Sequence, residues 1–148
     1  MKKLISLAVF AAMLATVALA HEGHDHATGV VKERMITMTN LGQRLLAISK
    51  RLRADKELDK IADDAHVIHE LAATIMKQFP PGSTQFPTAA KPAVWQDWAT
   101  FEGSAKKLEL EAEKLMNVKA GDGEALRAQF RAVAFACDGC HETFRATK

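Results

Sequence analysis

Leu126-Arg-Ala-Gln-Phe130-Arg-Ala-Val133-Ala-Phe-Ala-Cys137-Asp-Gly-Cys140-His141-Glu-Thr-Phe144-Arg145 is the stretch on which the reading of this chain turns. Leu126, Phe130, Val133, Cys137, Cys140 and Phe144 fall alternately four and three residues apart. Such steps average 3.5 residues, the period that keeps one seam of a helix turned toward a neighbour. Three upstream segments repeat the pattern. They are Met38, Leu41, Leu45, Ile48, Leu52; then Leu58, Ile61, Ala65, Ile68, Ala72, Ile75, Phe79; then Val94, Trp98, Phe101, Ala105, Leu108, Ala112, Leu115. Each segment has one face to bury, so the pattern predicts four amphipathic helices.

The breaks between these segments set the topology. All four prolines lie between Phe79 and Ala93, a stretch that cannot be helix interior. Gly121-Asp122-Gly123 separates the last two segments, and Arg53 to Glu57 is a short polar joint between the first two. Short joints imply antiparallel neighbours, so the fold expected over residues 30–148 is an all-α antiparallel four-helix bundle. Ala65, Ala72, Ala105 and Ala112 on the buried stripes either let helices approach closely or leave room for a large planar ligand. Composition agrees with this class. The 148 residues suit one domain, and 48% apolar with 26% charged residues excludes a disordered chain. Absence of Tyr disfavours aromatic-paired β architectures, and two cysteines offer no disulfide framework.

Met1-Lys-Lys3 followed by an apolar run ending in Ala18-Leu19-Ala20 reads as a signal peptide, cleaved after Ala20. Taking Lys2 and Lys3 from the 20 basic residues leaves 18, equal to the 18 acidic ones. A neutral mature chain does not suit nucleic acid, and a cleaved signal leaves no stable membrane insertion. The signal places the domain in the periplasm. Residues 21–29 form a flexible, His-rich start. Within it His21, His24 and His26 either chelate a borderline metal ion or are simply solvated.

Cys137-Asp-Gly-Cys140-His141 is the C-x-x-C-H pattern of covalent c-type haem attachment. Two thiols at i and i+3 share one helical face, where they can add to two vinyl groups along one side of a porphyrin. The histidine that follows is placed to be an axial iron ligand. A thioredoxin-type pair needs a βαβ setting and a helix N-terminus, whereas this motif lies near the end of its helix. Zinc needs four ligands, and no second C-x-x-C is present. A disulfide within the motif would close a tiny loop and stabilise little. His66 and His69, one turn apart, read as surface residues.

A C-x-x-C-H motif close to the C-terminus, on the last of four helices, resembles the class II cytochromes c: cytochrome c prime and its low-spin c-556 relatives. The likeness runs from about Val30 and is carried by Val31-Lys-Glu-Arg34-Met-Ile-Thr-Met38, Phe79-Pro-Pro-Gly-Ser83, Ala90-Lys-Pro-Ala-Val-Trp95 and Cys137 to Arg145. It implies one haem c, attached through Cys137 and Cys140 with His141 on the iron. In the low-spin branch a methionine four residues after the first-helix arginine binds the iron, and here that residue is Met38. In cytochromes c prime the sixth position is open to NO and CO. Met38 opens the first stripe, and its soft thioether suits haem iron in both oxidation states. Met35 is its chief rival, with Met76 and Met116 behind.

The resemblance places Trp95 either near the haem edge or sealing the bundle. Arg34, one turn from Met38, is expected either to fork onto a haem propionate or to be a solvated charge. Arg145, four residues after His141, is expected near the proximal side. The leading expectation is a non-enzymatic monohaem electron carrier, exchanging electrons with periplasmic redox proteins. The alternative is a five-coordinate gas binder. The class also implies either a homodimer through the first two helices or a monomer.

Overall fold

A computed structural model describes residues 26–147. The signal segment 1–20 and the histidines His21 and His24 lie outside the described residues, and His26 is exposed. Helix α1 spans Gly29–Ala54, α2 Ile61–Thr74, α3 Ala93–Gln96, α4 Trp98–Met116 and α5 Gly123–Phe144. Single 3₁₀ turns, Leu58–Lys60 and Ile75–Gln78, precede and follow α2. The long helices α1, α2, α4 and α5 make the expected four-helix bundle. Helix α1 starts at Gly29, and Ala27 is already buried, so packing begins inside the stretch read as a flexible tail.

The heptad stripes form the core. Ile48, Ile61, Ile68, Leu115, Leu126 and Val133 are fully enclosed, each worth roughly 1.5–3 kcal/mol of transfer free energy. The most extensive helix contact is between α2 and α4. Ala65 and Ala72 on α2, and Ala105 and Ala112 on α4, are all buried at this level of the bundle. Their small side chains let the two backbones approach.

Two segments differ from the stripe reading. Val94 sits in the one-turn α3, because the Asp97 side chain accepts a hydrogen bond from Thr100 N at 3.2 Å and starts α4 afresh. Trp98, a stripe position in the sequence, is therefore the first residue of α4 and remains 38% exposed. The second stripe is likewise not one helix, since its ends tighten into the two 3₁₀ turns.

Polar contacts lock the ends of α1. At its C-terminal part, Arg44 and Arg51 both pair with the buried carboxylate of Asp64 on α2, Arg44 Nη1 lying 3.1 Å away. Arg127, at the start of α5, donates to Leu52 O and Asp55 Oδ1, each at 2.9 Å. Asp55 and Glu57 carry the reversal between α1 and α2 with left-handed φ of 52° at both. Asp64 thus neutralises two cations at once. Asp64→Asn is expected to lower stability by about 2 kcal/mol, because it leaves the arginines facing each other without their shared anion. A denaturant midpoint equal to wild type would remove this ion cluster from the account of the α1–α2 pairing.

Candidate haem-binding cleft

Helix α5 brings Cys137, Cys140 and His141 to the wall of a mainly apolar cleft. The same wall holds Ala136, while Phe101, Ser104, Ala105 and Leu108 come from α4 and Ile75 from the turn after α2. Helix α1 supplies the facing wall with Met38, Leu41, Gly42 and Leu45. Met38 and His141 therefore border one cleft from two different helices. Among the methionines of the described residues, Met38 alone lines the cleft; Met76 and Met116 pack against the core elsewhere, and Met35 is half-buried outside the lining.

The chemistry of the donors follows from their burial. Desolvation, assisted by the charge of Asp138 and by Cys140, pushes the Cys137 thiol up to about 11. Burial raises Cys140 as well. Neither thiol is bonded to the other, so each enters the cleft as a protonated sulfhydryl at neutral pH. His141 is moved the opposite way: burial, then the charge of Arg145, lowers its pKa, against a smaller upward pull from Asp138. Its imidazole is therefore neutral and keeps a lone pair for a metal. Two thiols one turn apart, a neutral imidazole beside them and otherwise mainly apolar walls form the donor set that covalent haem c requires. The residues fit the group. Among the described residues no three His, Cys, Asp or Glu side chains converge as a self-sufficient metal site, so the fit is to a covalent haem and not to a bare ion.

The family model described as "Cytochrome C'" matches residues 29–145, most of the chain. This chain belongs to the cytochrome c' family. A curated relative, cytochrome c-556 of Agrobacterium tumefaciens (strain II Chrys), is 31% identical over 122 residues, covering 81% of this chain and 99% of that protein. Two solved structures share the fold with TM-scores of 0.73. One is a cytochrome c' with an unusual ligand-controlled dimer dissociation, 25% identical over 80% of this chain and 95% of that one. The other is a nitric oxide complex of a cytochrome c prime variant from Alcaligenes xylosoxidans, 26% identical over 80% and 94% of the two chains. The relatives thus carry both names between which the sequence reading divides.

In this cytochrome the remaining site candidates take other positions. Arg34 is 5% exposed, so it is no solvated charge, and its guanidinium turns toward the loop instead of the cleft. Nε donates to Gln78 O at 3.2 Å, and Nη2 to Gln78 O and Ser83 Oγ at 2.8 Å each. Nη1 donates to Thr88 Oγ1 at 2.7 Å and reaches Ser83 O at 3.4 Å. Its Cζ also lies 3.9 Å over the Phe79 ring. All three nitrogens are engaged in a clamp on the loop after α2. Gln78, on the same carbonyl, donates from Nε2 to Thr37 Oγ1 at 2.7 Å. The residue before Met38 is tied to the clamp as well.

Trp95 joins that loop structure. Its Nε1 donates to Phe79 O and Pro80 O, each at 3.1 Å, and it lines a separate aromatic hollow with Phe79, Pro81, Gly82 and Trp98. It closes the end of the bundle and is not among the residues of the haem cleft. Arg145 is exposed beyond the end of α5. Its backbone N–H donates to His141 O at 3.0 Å, and its charge acts on the imidazole. His66 is exposed as expected, whereas His69 is half-buried with Nδ1 3.3 Å from Glu109 O of α4.

Sequence reasoning missed Gly42, Ser104 and Ala136 as lining residues. Gly42 carried a readable signal, a glycine inside a helical stripe one turn past Met38. The Arg34 clamp makes its own claim. Arg34→Lys keeps the charge but loses the planar fork and leaves loop carbonyls unpaired, so a loss of about 2 kcal/mol is expected. Chemical denaturation of the haem-loaded protein measures it, and an unchanged midpoint rules the clamp out.

Proposed function

We propose that this cytochrome is a periplasmic one-electron carrier whose single haem c is held by Cys137 and Cys140, with His141 and Met38 as axial ligands. The observation that carries the reading is Met38 itself: it lines the same cleft as Cys137, Cys140 and His141. When bound, haem supplies a ferric–ferrous couple, and the residues here decide what surrounds it. His141 offers a neutral nitrogen. Met38 offers a soft sulfur that tolerates both oxidation states, so little ligand rearrangement accompanies electron exchange. Leu41, Leu45, Ile75 and Leu108 keep the surroundings apolar and limit water.

The family supports the coarser statement, a haem c cytochrome, equally well under a second reading. The nitric oxide complex of the Alcaligenes relative favours an open sixth position that binds small gases, with Met38 as apolar filler.

The periplasmic placement rests on residues 1–20. No helix among the described residues is long and apolar enough to cross a membrane. Redox proteins of the same compartment are the partners this reading requires, and a carrier needs no acid–base or nucleophilic machinery of its own. Ile36 and Leu46, each about half exposed on α1, support a homodimer through that helix, as does the dimeric relative. The tail histidines His21, His24 and His26 remain a proposed metal site, tested by deleting residues 21–26 and titrating Cu²⁺.

Optical and EPR spectra separate the two haem readings. A carrier is low-spin as isolated, with the weak red-region band of thioether-to-ferric ligation. Met38→Ala is expected to make it high-spin and reactive to CO. An unchanged spectrum rejects Met38 as ligand.

A further inference from the structure

We infer that Gly42 sets how closely α1 approaches the haem, and thereby whether Met38 holds the sixth position of the iron. The inference deepens the His/Met reading and rests on it. Gly42 lies in the middle of the 26-residue α1. A glycine there weakens the helix relative to alanine, because it adds backbone entropy to the unfolded chain. Two ordinary reasons for tolerating that penalty are absent. Gly42 is not among the glycines with positive φ, which are Gly29 and Gly82. Nor does another part of the chain crowd it: a Cβ built at position 42 meets no atom within 4 Å. Neither backbone conformation nor packing within the described residues calls for glycine.

Position within the cleft supplies the reason. Gly42 is exposed and lines the cleft one turn after Met38, in the same lining as Cys137 and Cys140 of α5. A side chain at 42 has room to enter, and that room adjoins the cleft where the covalent group belongs. Without a Cβ, the α1 backbone can lie against the ring plane, and the Met38 side chain, one turn away, then has only its own length to span. A side chain at 42 would hold α1 off and draw the sulfur back. Gly103 gives the contrast. It too is exposed within a long helix with no atom within 4 Å of a built Cβ, yet it does not line the cleft.

The two glycines therefore predict different outcomes for one substitution. Alanine at either position strengthens its helix and raises the thermal midpoint slightly. Only at 42 is the haem spectrum expected to change. In haem-loaded protein, confirmed by the added haem mass, the high-spin ferric EPR signal is expected to grow from wild type to Gly42→Ala to Gly42→Leu. The Leu variant is expected to bind CO roughly tenfold faster than wild type, the scale of a modest overpacking strain. Gly103→Ala is expected to keep the wild-type spectrum. The Ala variant carries the test if the Leu variant does not take up haem.

Wild-type low-spin protein that turns high-spin in Met38→Ala, but not in either Gly42 variant, upholds the ligand reading and overturns the role of Gly42. Wild-type protein that is already high-spin overturns the ligand reading and, with it, control of Met38 by Gly42. In that case Gly42→Leu tests the remaining claim, that position 42 faces the haem. CO binding slowed roughly tenfold by the added bulk supports that claim, and an unchanged rate overturns it.

Discussion

A guanidinium buried in a protein must find acceptors for its donors, and the burial of Arg34 organises the rest of this bundle. The acceptors come from Gln78, Ser83 and Thr88, so the proline-rich segment after α2 is drawn around the first turns of α1. Phe79 stacks on the cation, Trp95 donates to the neighbouring carbonyls of Phe79 and Pro80, and Phe101 meets Phe79 with ring centroids 4.7 Å apart. At the far end, Asp64 and Arg127 fix α1 against α2 and α5. Helix α1 is thus held at both ends. Its middle, from Met38 to Leu45, stands as the wall of a cleft and not as a tightly packed seam.

That arrangement divides labour between the two long walls. Helix α5 carries Cys137, Cys140 and His141, the residues proposed to hold the haem, all within one and a half turns, so their relative placement is a property of helix geometry. Helix α1 carries what sits opposite, and its placement is a property of the whole bundle. Electrostatics follows the same division. Burial is the main cause that keeps the thiols protonated and the imidazole neutral; Asp138 and Cys140 add to it at Cys137, and Arg145 adds to it at His141 from outside the cleft.

Particular residues mark how far the sequence was legible. The stripes from Met38 to Leu52 and from Leu126 to Phe144 read directly as helices, because a 3.5-residue period has no other economical burial. The break at Asp97 did not, since apolar spacing continues through it while a single carboxylate caps a new helix. Arg34 was read as facing the haem because it shares a helix and a turn spacing with Met38. Its true partners are more than forty residues away, in a segment whose backbone carbonyls carry no signature in the residue names. For Trp95 the sequence left two places open, and its bonds to Phe79 O and Pro80 O set it on the loop, sealing the bundle.

The amino-acid order alone determined an all-α bundle, from the apolar period of each helix, and the grouping of Cys137, Cys140 and His141 on one helix, from their spacing along it. Only the tertiary structure decided that Arg34 and Trp95 belong to the loop, that Met38 and not Met35 lines the cleft, and that Gly42 stands beside it. Each of those outcomes depends on how one helix is rotated and held against another. Local spacing does not encode that quantity; the sum of buried contacts across the bundle sets it.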